Sequence, residues 1–345
     1  AAPAAVIGAP VVAAAPPDPD PAAATAGATA ANALLPTLPT NGVTGVQVGH
    51  SRLDIPGALI GNTVAADWYF PTQVDGTVDA QGVIWLQHGF GAINTLYSGL
   101  AENLAQQTNS IVVAPTLSSI PFTLSGGCLI CASTEQAAVD AFLDPNRTTL
   151  IDSAVAAGYT GDVDELKGAF VLAGHSAGGG FATSVASDYI AEGSALQDAD
   201  LMGVVMFDGV SNGAIGGGLA QQLQILGAAD KPIYQIAAPA QSWNLFGATT
   251  NVLAATLPGQ FIGMVLQGGS HVDSMLGLNP LIDLVLELVT KPVPAGNTAA
   301  TYTLSSGWIN DMYVGATPDN PQYGLYAASN QQIIMGPTAA IGLPA

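Results

Sequence analysis

The chain has 345 residues, 49% hydrophobic and only 9% charged, which is enough apolar material for a large core and excludes wholesale disorder. Its net charge is −20, from 25 acids against 5 bases, and the bases (Arg52, Arg147, Lys167, Lys231, Lys291) are scattered, so nothing is expected to bind nucleic-acid phosphates or anionic lipid headgroups. No run of 18 or more uncharged apolar residues occurs, so no transmembrane segment is expected, and the opening AAPAAVIGAP lacks the basic region of an intact signal peptide.

Residues 1–42 are rich in Ala and Pro and read as an arm or linker. A catalytic-size domain is expected over 43–292. It opens with two β-type stretches, VTGVQVGHSRLDI and DWYFPT. Short apolar runs then alternate with helical patterns. GVIWLQ (82–87) precedes LYSGLAENLAQQ, and SIVVAPT (110–116) precedes the helical residues TEQAAVDAFLDPNRTTLIDSAVAAG, beginning with the helix TEQAAVDAF. AFVLAG (169–174) precedes GFATSVASDYIAE, and LMGVVMF (201–207) precedes GGGLAQQLQILG. KPIYQIAA (231–238) and GQFIGMVLQG (259–268) are two more strands, and LIDLVLELVT reads as a final helix. This alternation predicts an α/β fold: a mostly parallel central sheet with helices on both faces and functional groups at the carboxyl ends of the strands. Residues 293–345 are aromatic, Gly- and Asn-rich, and read as an extension of irregular or hairpin structure packed on the domain.

Gly174-His175-Ser176-Ala177-Gly178 has the form G-x-S-x-G. With 41 Gly in the chain, chance alone gives about 0.3 such patterns, and a second one occurs at Gly209-Val210-Ser211-Asn212-Gly213. Context separates them. Ser176 follows directly on an apolar strand, is flanked by small residues, and leads into a helical stripe of Phe181, Val185, Ala186, Tyr189 and Ile190. Ser211 is offset from its strand by Asp208 and Gly209, and Gly-rich residues follow it. Ser176 is therefore the candidate nucleophile, on a strained turn at a helix N-terminus.

The general base follows largely by elimination among four histidines. His50 precedes the core strands, His175 would point to the far side of the turn, and His88 belongs to the HGFG loop. His271 follows the last predicted strand, where an imidazole can reach the serine. Asp208, at the carboxyl end of 201–207, is the candidate acid. Asp230 precedes its strand, and Asp273 is too near His271 in sequence to face the far ring nitrogen. Backbone N–H groups of Phe90 and Ala177 are the candidate oxyanion donors.

This order, HGFG, then GHSAG, then an acid, then a histidine, resembles the α/β-hydrolase superfamily over residues 50–290. DWYFPTQVDGTVDAQGVIWLQHGF is also similar to exported esterases of mycobacterial type. The resemblance implies a Ser176–His271–Asp208 triad and an acyl-enzyme intermediate, with no cofactor. It also implies a departure: most members carry the acid one strand later. Cys128 and Cys131 are expected to form one short disulfide, which fits a secreted or cell-surface protein. Phe90, Trp243 and Met275 are expected to form an apolar rim, with Trp308 joining from the extension. Such a rim suits a hydrophobic ester, lipid or polyester. Three classes stay open at this level: a carboxylic ester hydrolase, an acyltransferase using the same triad, and a non-catalytic surface protein on a hydrolase scaffold.

Overall fold

The computed structural model describes residues 31–32, 41–56, 62–119, 127–211, 218–276 and 292–345, with 283, 286 and 290 between the last two stretches. The sheet is built on six parallel strands, in the spatial order β5 (Ser110–Pro115), β4 (Gly82–Gln87), β6 (Phe170–His175), β7 (Leu201–Phe207), β8 (Ile233–Ala237) and β9 (Gly263–Leu266). Every residue of β4, β5, β6 and β8 is buried, which is why these segments read as continuous apolar runs rather than alternating ones. Antiparallel strands finish both sides. On one side, β3 (Thr63–Thr72) pairs with β5 and β2 (Gly45–Asp54) pairs with β3. On the other, β11 (Thr338–Gly342) pairs with β9, β10 (Gln332–Met335) with β11, and the two-residue β1 (Ala31–Asn32) with β10.

Side chains alternate between the two faces. Phe170 and Leu172 of β6 join a core with Trp85, Phe142, Phe181 and Leu223. Val171 and Ala173 enter a second core with Tyr97, Leu104, Tyr234 and Trp308 on the opposite face. The helices are α1 (Ser98–Thr108), α2 (Ala132–Leu143), α3 (Thr148–Ala156), α4 (Ala177–Glu192), α5 (Ala195–Asp198), α6 (Gly218–Ala228), α7 (Ala248–Thr256) and α8 (Asn297–Val314). The first core lies under α2, α4 and α6; α1 and α8 cover the second. The architecture is thus α/β, with a mostly parallel central sheet between helical layers.

Two features depart from the sequence-based expectation, and the helical stretch after Cys131 resolves into parts. The stretch after Cys131 is two helices, because Pro145 cannot continue α2 and the Asp144 carboxylate accepts the N–H groups of Asn146 and Thr148 to begin α3. Residues 248–256 form a helix that the sequence reading passed over. The extension, expected to be irregular or hairpin, begins with the 18-residue α8 and adds β10 and β11 to the central sheet. Residues 301–312 of α8 are buried nearly all round, so no polar face marks the helix, and Gly296 and Gly315 at φ 89° and 67° bound it. Most of the expected helix LIDLVLELVT lies outside the described residues.

Trp308 is fully buried in this helix, edge-on to Tyr234 and Phe261, and its Nε1–H donates to the Leu325 carbonyl at 2.8 Å. It therefore belongs to the core and not to an apolar rim. Trp308→Ala should cost about 3–5 kcal/mol in urea unfolding, whereas Leu196→Ala, at a residue 87% exposed, should cost less than about 0.5 kcal/mol. Equal midpoints for the two variants would show that α8 is not part of the cooperative core.

Candidate active site

β6 runs straight into Ser176, which stands at φ 52°, ψ −125°, and α4 begins at the next residue. A non-glycine residue occupies that region only where its surroundings force it. The two glycines of the pentapeptide are required by close approach. A Cβ at Gly174 would lie 2.1 Å from the Gly178 carbonyl oxygen, and one at Gly178 would lie 2.3 Å from that of Gln87. Ser176 is thereby held half-buried at the head of α4, where the Ala177 N–H has no intrahelical acceptor.

Asp208 follows β7 at φ 44° and is buried. One carboxylate oxygen, Oδ1, accepts the Ala238 N–H at 2.9 Å and the Asn244 Nδ2–H at 3.1 Å. The other, Oδ2, accepts the Nδ1–H of His271 at 2.6 Å, leaving Nε2 as the acceptor nitrogen of that ring. The Ser176 N–H donates to the Phe207 carbonyl and the Val210 N–H to the Ser176 carbonyl, so the turns after β6 and β7 are fastened to each other. His271 reaches the same place through His175, whose ring lies 4.6 Å from its own. Asp208 and His271 are thus paired directly, with Ser176 on the adjoining turn. Asp230 lies before β8, at the far end of the sheet, and Asp273 accepts the Ser270 N–H and the Asn297 Nδ2–H within its own neighbourhood. Ser211 is buried, and its N–H donates to Thr249 Oγ1. Asn212 and Gly213 of its G-x-S-x-G pattern lie outside the described residues.

Two histidines set aside in the sequence reading hold the loops in register. The Leu117 N–H donates to His88 Nε2 at 2.9 Å, so His88 is neutral with its proton on Nδ1, and that N–H donates to the Gly89 carbonyl at 2.7 Å. Because a trans peptide points its C=O and N–H in opposite directions, gripping the Gly89 carbonyl fixes the direction of the Phe90 N–H. The Gly89 N–H donates to Tyr97 Oη at 3.0 Å, and the Tyr97 hydroxyl donates to His175 Nδ1 at 2.6 Å. His175 Nε2–H then donates to the His271 carbonyl at 2.6 Å. One relay therefore joins the loops after β4, β6 and β9. A Cβ on Gly89 would stand 3.0 Å from Ser176 Cβ, which measures how closely the first loop approaches the serine. Burial holds the His88 imidazole below its ordinary pKa and the His175 imidazole well below it.

Phe90 is 61% exposed and Trp243 49%, and the Trp243 ring stacks over His271 at 6.3 Å. Leu245 and the strongly exposed Phe246 continue this apolar surface. Met275, expected on the rim, is instead packed into the second core, because the turn after His271 folds back under the sheet end. A cavity of about 420 Å³ opens on the other side of the Phe90 loop, between Gly91–Ile93, Leu117–Ser119 and Arg52. Cys128 and Cys131 are joined in a disulfide just before α2. Among the described residues there is no cluster of metal-ligating side chains, and no helix is long and apolar enough to cross a membrane. No family model matches the chain, and no curated protein matches it in sequence.

The two buried imidazoles make stability depend on pH with a definite sign. Their folded pKa values lie below the unfolded value near 6.5, so the unfolded chain binds more protons as pH falls through 6.5 and stability falls with it. The carboxyls of Glu135, Glu165, Asp188 and Asp200, raised by burial, act in the opposite direction. Urea unfolding should therefore show stability falling from pH 7 to 5.5, by at most about 1.4 kcal/mol per pH unit for each ring. A flat curve would show that these rings take up protons within the folded protein.

Proposed function

We propose that this chain is an α/β-hydrolase-type carboxylic ester hydrolase that works through Ser176, His271 and Asp208, exported and acting on hydrophobic esters. The observation that carries the reading is the buried 2.6 Å bond from His271 Nδ1–H to Asp208, beside a serine held at positive φ at the head of a helix. A carboxylate in that position selects the imidazole tautomer whose Nε2 can accept a proton, and stabilises the imidazolium that forms.

The steps follow from those roles. Ser176 Oγ attacks the ester carbonyl carbon as its proton passes to His271 Nε2. Negative charge gathers on the former carbonyl oxygen, toward which the N–H groups of Phe90 and Ala177 donate. His271 then protonates the leaving alcohol as the C–O bond breaks, leaving an acyl group on Ser176. A water molecule gives a proton to His271 Nε2 and attacks the acyl carbon. Collapse of that second intermediate releases the acid and returns the proton to Ser176. A Ser176 Oγ–His271 Nε2 hydrogen bond is expected to form when substrate binds, since catalytic hydrogen bonds commonly reach their working geometry only in the complex. The exposed apolar surface of Phe90, Trp243, Leu245 and Phe246 supports an acyl-chain or polyester substrate, and the scarcity of bases disfavours charged ones. The Cys128–Cys131 disulfide supports an oxidising compartment.

Hydrolysis of p-nitrophenyl esters and labelling by a fluorophosphonate test the reading. Ser176→Ala should abolish both while circular dichroism stays unchanged, and Ser211→Ala should retain both. Asp208→Asn should lower kcat at least about a hundredfold with KM little changed, against about four orders of magnitude for the analogous change in serine proteases. Asp230→Asn and Asp273→Asn should each remain within about tenfold of the parent. Full activity in Asp208→Asn would place the acid elsewhere, and a parent chain that neither labels nor hydrolyses would overturn the reading as a whole.

A further inference from the structure

The residues after β8 bind the acid from the side opposite His271. Asn244 is buried, and its Oδ1 accepts the N–H groups of Gln241 at 2.9 Å and Gly247 at 3.1 Å. Those two donors fix the orientation of the amide, so Nδ2 faces the other way. There it donates to Asp208 Oδ1 at 3.1 Å and to the carbonyls of Pro239 at 3.0 Å and Ala238 at 3.2 Å. Leu245 and Phe246 follow immediately, both in the left-handed region at φ 50° and 54°. Consecutive non-glycine residues keep that conformation only when their surroundings impose it. Here the Phe246 N–H donates to the Gln241 carbonyl at 2.8 Å, closing the ring that Asn244 fills. The strained strap so formed carries Trp243 over the His271 ring and turns Phe246 outward, 71% exposed.

We propose that Asn244 is a positioning residue that couples the catalytic acid to the substrate-facing strap, one amide setting both the direction of the Asp208 carboxylate and the pose of Trp243 and Phe246. The kinetic side of this inference rests on the ester-hydrolase reading. The geometric side does not.

Three variants of the full chain separate the roles: Asn244→Ala, Asn244→Asp and Trp243→Ala. Each is measured on p-nitrophenyl acetate and decanoate across pH, and by the downfield proton resonance of His271 Nδ1–H. Trp243→Ala should raise KM for the decanoate far more than KM for the acetate. Asn244→Ala should lower kcat about tenfold to a hundredfold on both esters, raise KM for the decanoate, and move or broaden the resonance. Asn244→Asp keeps the acceptor that organises the strap but sets a second carboxylate against Asp208. Asp208 and His175 already face His271, with Asp273 in its own turn; the paired carboxyls share one proton, and its release as pH rises adds the negative charge that favours the imidazolium. The acid limb of kcat/KM should accordingly move to higher pH. If the Asn244 variants lose only thermal stability, with kcat, acid limb and resonance unchanged, Asn244 is a loop anchor and the coupling is overturned. If the parent hydrolyses no ester, the resonance still decides: a shift in Asn244→Ala supports the coupling and faults the hydrolase reading, and no shift overturns the coupling.

Discussion

The candidate site depends on a neutral imidazole buried at the junction of three loops. His175 has a hydroxyl on one ring nitrogen and a carbonyl on the other, and the carbonyl can only accept. Its proton must therefore sit on Nε2, and Nδ1 must take the Tyr97 hydroxyl proton. That hydroxyl in turn becomes the acceptor for the Gly89 N–H. The direction of every bond in the relay follows from the single fact that a peptide carbonyl cannot donate. An imidazolium there would leave the Tyr97 hydroxyl facing an N–H, which is one reason burial and the local contacts both oppose charge at this ring.

The position of the acid follows from how β7 and β8 end. Phe207 pairs with Ile236, and the Asp208 N–H donates to the Ile236 carbonyl, so Asp208 leaves the sheet level with the last turn of β8. The exit of β8 then contributes amide donors, from Ala238 and Asn244, in place of a carboxylate. The two strand ends have complementary parts: one presents the charge, the other solvates it. A carboxylate moved to the end of β8 would lose that arrangement of donors.

Much of this architecture was legible in the sequence, because the six central strands are buried on both faces and read as bare apolar runs. The strained serine was legible because small residues crowd it, and His271 because the chain holds only four histidines. What escaped is what depends on surroundings. α8 lost its periodicity by being buried on every side, so residues 301–312 offer no polar stripe to mark a helix. Trp308 and Met275 look like rim residues by hydrophobicity, yet both face the second core. His88, His175 and Asn244 act through partners far along the chain, such as His271 for His175, and no local pattern announces such contacts. The two-residue β1 likewise lies within a stretch that reads as linker, and pairs with residues 333 and 334.

The outer strands beyond β9 have a consequence for how the protein is made. β9 is covered by β11, β11 by β10, and β10 by residues 31 and 32, so this side of the sheet is assembled from segments far apart in the sequence. During synthesis the flank of β9 has no partner until residues 338–342 have left the ribosome, although β4 to β8 are already complete. A nascent chain paused before that point would present an open strand edge, with its unpaired amides and carbonyls, to any neighbouring chain. Residues 338–342 thus close the vulnerable margin of a sheet whose candidate site is encoded earlier in the chain.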